Sequence, residues 1–194
     1  LSSLLTLISS VAHNVDHSIR SSLASLFIDK LFEFSRLDTP LIGACLKTLS
    51  NLTPKETREK AKFWFALDSM IFKRSKINNY TTSCIAPFSS TFTNFTEILG
   101  FLHLFRKLIQ NNQSDDNSFG NLEFPVKLGH GYRKVGIVPY FDFIIHQIFV
   151  PSLKIIDKTY KEGILLPILE IFKYALESFD NYIIMNSSTI NINL

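Results

Sequence analysis

Apolar residues recur at helical spacing along nearly the whole chain, and this period limits the fold more than any other feature. In Ile19, Leu23, Leu26, Phe27, Leu31 and Phe34 the steps are i, i+4, i+7, i+8, i+12 and i+15, one face of an α-helix. The same spacing opens the chain at Leu4, Leu5, Leu7, Ile8 and Val11 and returns at Leu41, Ile42, Cys45, Leu46 and Leu49. It returns again at Ile98, Leu99, Leu102, Phe105, Leu108 and Ile109, and most cleanly at Leu165, Ile168, Leu169, Phe172, Leu176 and Phe179. Residues 122–124 read as briefly extended, too little for a sheet. The chain is therefore expected to be all-α.

Proline and capping residues punctuate these stripes. Asp38-Thr39-Pro40 stops one helix and restarts another, because proline is tolerated in a first turn behind a capping side chain. Thr53-Pro54-Lys55-Glu56 has the form of a capping box, and Asn94 with Glu97 opens a further helix. The helix after Glu56 has a charged first half, with Glu56 and Lys60 at the favourable i, i+4 spacing of a solvated face. Its second half is apolar: Trp64, Leu67 and Ile71 share one side, Phe65 and Phe72 a neighbouring one. Lys73, Arg74 and Lys76 suit its C-terminal end, where cations meet the negative pole of the helix dipole. Residues 75–92 and 110–124 read as loops, the second polar and acidic. Pro151 is expected to end or bend the helix before it, and Pro167 to sit in a first turn or kink its helix. Beyond Asp180 the reading is a polar tail, with Ile190 and Ile192 as anchors.

About seven or eight helices result, within one segment spanning residues 1–194. No fixed-period repeat is visible. Helix hairpins with broad apolar faces fit an irregular α-solenoid of stacked antiparallel helix pairs, HEAT/ARM-like in kind, and a compact bundle is the alternative.

Composition removes several function classes. With 46% hydrophobic and 19% charged residues the chain is not disordered, and a net charge of +3 gives no reason to invoke nucleic acid. Cys45 and Cys84 are too few for a disulfide scaffold and suit a reducing compartment. No uncharged apolar run approaches the roughly 18 residues of a transmembrane helix. The chain begins at Leu1, lacks a basic leader and cleavage signal, and reads as an internal piece of a longer soluble protein. The Asn-x-Ser/Thr triplets at Asn51, Asn79, Asn94, Asn112 and Asn186 are expected by chance in a chain this rich in those residues.

No constellation of catalytic groups emerges. His13 and His17 stand at i, i+4, but Asn14 occupies the place where a zincin carries its glutamate, and no third ligand is near. They read as solvated or capping histidines. Gly129-His130-Gly131-Tyr132-Arg133 lacks the spacing and the Lys-Ser/Thr of a phosphate loop; its glycines read as a tight connection, with Arg133 and Lys134 solvated. There is no Gly-x-Ser-x-Gly elbow, and Cys45 in an apolar stripe is a buried thiol rather than a nucleophile. Asp68 and Asp142 flank apolar faces and read as surface or hydrogen-bonded structural residues rather than a paired acid. No catalytic, cofactor-binding or metal-binding residue is assigned, no cofactor is expected, and the chain is expected not to be an enzyme.

The most distinctive stretch is residues 125–149, PVKLGHGYRKVGIVPYFDFIIHQIF. A Gly-punctuated basic loop leads through Pro139 into an intensely apolar helix. Leu128-Gly129-His130-Gly131-Tyr132-Arg133, followed by Gly136-Ile137-Val138-Pro139-Tyr140-Phe141-Asp142-Phe143, resembles the large inner-ring scaffold nucleoporins of the nucleoporin 192/205 family. The family's Gly-Tyr-Arg-like loop and Gly-Ile-x-Pro-Tyr-x-Asp-Phe run are matched in order. Upstream, Trp64-Phe65-Ala66-Leu67-Asp68-Ser69 resembles its Trp-x-x-Leu-Asp-Ser segment, and Ala175-Leu176-Glu177-Ser178-Phe179-Asp180 its later Phe-rich helix. These matches cover about half the chain, leaving residues 75–90 and 110–120 unplaced. The Asn- and Ile-rich usage suits a yeast-like member.

The resemblance implies an architectural α-solenoid segment of the nuclear pore complex inner ring, at the nuclear envelope and in support of nucleocytoplasmic transport of protein and mRNA. Its implied partners are other nucleoporins, both linker nucleoporins and neighbouring scaffold subunits, with no direct nucleic acid, transmembrane segment or small-molecule substrate. A sister scaffold nucleoporin of related fold is the rival within this reading. The alternative of a different class is a HEAT- or armadillo-like transport-receptor or cargo-binding segment, which would show regular repeats of about 40 residues.

Overall fold

A computed structural model describes residues 2–36, 41–54, 57–72, 94–110 and 124–190, and the regular structure among them is entirely helical. The helices are α1 (Ser2–Asn14), α2 (His17–Arg36), α3 (Ile42–Leu52), α4 (Thr57–Ile71), α5 (Phe95–Ile109), α6 (Val138–Phe143), α7 (Val150–Ser152) and α8 (Lys158–Ile190). A π-helical stretch, Ile144–Phe149, joins α6 to α7.

Side-chain contacts give the directions. Thr48 Oγ1 of α3 donates to Leu5 O of α1 at 3.3 Å, and Asn51 Nδ2 donates to Ser9 Oγ at 2.6 Å. Both sequence positions advance together, so α1 and α3 run the same way. Gly43 meets Thr96 and Glu97 while Leu46 meets Gly100, so α5 continues in parallel. On α8, Gly163 lies against Phe95 and Glu170 against Arg106, and it joins the same layer in the same direction. Ser21 and Phe32 of α2 likewise face Glu59 and Phe63 of α4. Alternate helices therefore lie side by side and parallel, with the intervening ones running back, as in stacked antiparallel pairs.

Two glycines let α3 and α5 cross closely. A Cβ on Gly43 would stand 2.6 Å from Thr96 C, and one on Gly100 2.7 Å from Gly43 O. Backbone meets backbone there, which buries Cys45, Leu46, Leu49 and Leu52 of α3 against Phe101, Leu102, Phe105 and Leu108 of α5. At the start of α5, Glu97 reaches back to the Asn94 backbone N–H (3.4 Å) and side-chain amide (3.2 Å), the expected N-terminal cap. Cys45 is fully buried, as a small apolar thiol should be.

Several stripes are placed differently from the sequence expectation. In α8 the buried face is Ile164, Pro167, Ile168 and Ile171, while Leu169 and Leu176 point to solvent. Apolar residues surround this helix, and its neighbour α5 decides which side is covered. Leu4, Leu7 and Val11 of α1 and Ile19 and Leu26 of α2 are also exposed; Leu5 and Leu31 of the same stripes are buried as expected, and Ala12, Ala24, Ile28 and Phe32, outside those stripes, are buried too. Phe65, read as part of the apolar arc of α4, is exposed.

The helix breaks also differ. Pro167 sits neither in a first turn nor at an end: α8 begins at Lys158, so the ring falls inside it, four residues after Gly163. Nor does the chain become a tail after Asp180, since α8 stays helical to Ile190. Pro151 follows the π-helical stretch, where the Val150 N–H bonds Ile145 O. A proline ring crowds the carbonyl four positions back, and the wider five-residue turn opens the helix just ahead of it. The Asp38-Thr39-Pro40 restart, Lys55 and Glu56 of the capping box, Lys73, Arg74 and Lys76, and nearly all of the loops 75–92 and 110–124 lie outside the described residues.

Candidate functional site

The resembling motifs meet in space. Asp68 lies in the second half of α4, four residues after Trp64 and therefore on the same buried side of the helix. Arg133 comes from the loop before α6, and Tyr140 from its first turn behind Pro139. Arg133 Nε donates to Asp68 Oδ1 at 2.9 Å, Arg133 Nη2 donates to the same oxygen, and the Tyr140 hydroxyl donates to it at 2.9 Å. Asp68 and Tyr140 are fully buried and the Arg133 side chain is only 7% exposed. Arg133 was read from sequence as solvated; it is instead the cation of a buried ion pair.

Two features let a loop arginine reach so far in. Gly129, Gly131 and Gly136 have φ of 83°, 88° and 100°, a backbone region that side chains disfavour and glycine does not. A Cβ on Gly129 would also stand 2.6 Å from Arg133 Cζ, so this glycine leaves the room in which the arginine folds back. The loop is closed at its base by Gly136 N–H to Leu128 O at 2.9 Å. Arg133 Nη1 then donates to Lys134 O (2.6 Å) and Gly136 O (3.0 Å), so the guanidinium ties the loop to itself as well as to α4.

Aromatic rings enclose the pair. The Arg133 guanidinium lies 4.5 Å from the Phe72 ring centre and 5.3 Å from that of Tyr140. Tyr140 in turn touches Phe72 at 5.0 Å, Phe105 at 5.4 Å and Trp64 at 5.5 Å. Burial, and then the neighbouring Asp68 carboxylate, push the Tyr140 phenol well above its usual pKa, so it remains a donor. Charged partners this deep are costly to desolvate; four bonds from Arg133 and three to Asp68 Oδ1 offset part of that cost, while Asp68 Oδ2 is buried without a hydrogen-bond partner among the described residues. The arrangement brings together one carboxylate, one guanidinium and one phenol. What it does is fasten a loop from one part of the chain onto a helix from another.

Other charged groups close helix ends. Lys60, expected on a solvated face, is buried and its Nζ donates to Gln110 O at the end of α5. Arg20 Nε donates to Ala12 O at 2.9 Å in the last turn of α1. His103 is held below its usual pKa by burial and then by Arg106 and Lys47. A shallow cleft of about 60 Å³ between α2 and α4, lined by Ser21, Ile28, Glu59 and Phe63 among others, contains the Ser21 Oγ–Glu59 Oε1 bond of 2.8 Å. His13 and Asp142 are exposed, and the side chain of His17 lies outside the described residues. Among the described residues no helix is long and apolar enough to cross a membrane.

Compared with known families, the chain matches the nuclear pore complex scaffold Nup192, nucleoporins 186/192/205, over residues 1–194. The chain belongs to that family. As a Nup192-family segment it is part of the nuclear pore complex scaffold, located at the nuclear envelope. No curated protein matches it. The match runs through residues 75–90 and 110–120, which the motif resemblance left unplaced, so the Nup192-family sequence extends across the whole chain.

The sequence signal for the cluster was present but divided. Asp68 stands on the same helical side as Trp64 and Leu67, where an acid needs a partner. Arg133 stands between glycines able to turn it inward. Neither segment alone names the other.

Proposed function

We propose that this Nup192-family segment works as architecture in the inner ring, holding other nucleoporins on helix faces that its own fold leaves uncovered, and that it catalyses no reaction. The observation that carries this reading is the exposed apolar side of α8, where Leu166, Leu169 and Leu176 are 61%, 55% and 63% exposed although Ile168 and Ile171 beside them are fully covered. A helix apolar on two sides is suited to contact on both. Leu4, Leu7 and Val11 repeat the feature on α1. An amphipathic partner helix buries its own stripe on such a face. Linker nucleoporins and neighbouring scaffold subunits are the partners this reading assigns, in support of nucleocytoplasmic transport.

Immobilised protein incubated with a nuclear-envelope extract tests it. Recovery of nucleoporins by mass spectrometry, lost on Leu166→Asp/Leu169→Asp, is the expected outcome. Recovery of soluble cargo without nucleoporins would move the assignment to a transport receptor.

A further inference from the structure

We draw no further inference here: the strongest candidate, the exposed apolar turn between α7 and α8 formed by Val150, Leu153 and Ile156, carries none because nothing in the structure shows what covers it.

Discussion

Arg133 and Asp68 are 65 positions apart in the chain, yet the Arg133 Nε lies 2.9 Å from Asp68 Oδ1 in surroundings almost free of solvent. An exposed ion pair contributes little, but breaking a buried one strands a charge, which costs about 3–5 kcal/mol. Asp68→Asn is therefore expected to lower unfolding stability by that amount in urea titration. Asp68→Asn/Arg133→Met removes both charges and should recover a large part of the loss. Equal losses in the single and double variants would mean that the pair is not what holds the loop.

Tyr140 separates the hydrogen bond from the packing. Tyr140→Phe keeps the ring among Trp64, Phe72 and Phe105 and removes one donor from Asp68 Oδ1, a loss of about 1–3 kcal/mol. The phenol also gives stability a pH dependence. Its pKa in the folded state lies well above the ordinary 10.0, so above about pH 10 the unfolded chain releases this proton while the folded one retains it. The stability it contributes is complete below pH 10 and declines as pH rises beyond it. Denaturant midpoints between pH 9 and 11 should fall more steeply in the native protein than in Tyr140→Phe.

How far the fold could be read from sequence depended on whether a feature was local. Helical period is local, and the helices around Leu23, Leu46, Leu102 and Ile168 are where that period puts them. Which side of a helix is buried depends on its neighbours. In α8 leucines and isoleucines occupy opposite sides, and packing against α5 through Gly163 and Phe95 selected the isoleucines. Arg133 was misread for the same reason: among glycines and basic residues it looks solvated, and its partner is far away in sequence. Lys60 reads from spacing as part of a solvated face, whereas it is buried and its ammonium closes the end of α5. The motifs identified the family correctly without revealing that three of their residues touch.

Gly43 carried no sequence signal, because a glycine inside a helix ordinarily just weakens it. Gly43→Ala should favour the helix by about 1 kcal/mol. The new Cβ, however, would stand 2.6 Å from the Thr96 carbonyl carbon and 2.9 Å from Glu97 N, both backbone atoms at the capped start of α5. Backbone of a packed helix cannot swing aside, and overpacking of this kind costs about 1–3 kcal/mol. The net sign is destabilising. A thermal melt in which Gly43→Ala gains stability would show that α3 and α5 do not cross this closely.

Ile168 and Leu169 are adjacent in α8 and differ only in which side they occupy. Ile168 is fully buried and Leu169 is 55% exposed. Truncating a buried isoleucine to alanine costs about 2–5 kcal/mol through lost burial and the cavity left behind. An exposed leucine truncated in the same way changes stability by no more than about 0.5 kcal/mol. Urea unfolding of Ile168→Ala and Leu169→Ala should therefore separate the two variants by well over 1 kcal/mol, although periodicity alone placed both on the buried stripe. If Leu169→Ala leaves folding intact but abolishes nucleoporin capture, its exposed face is the one the partner covers. A large stability loss at Leu169 would instead return that residue to the core and remove the apolar side of α8 from the partner-binding surface.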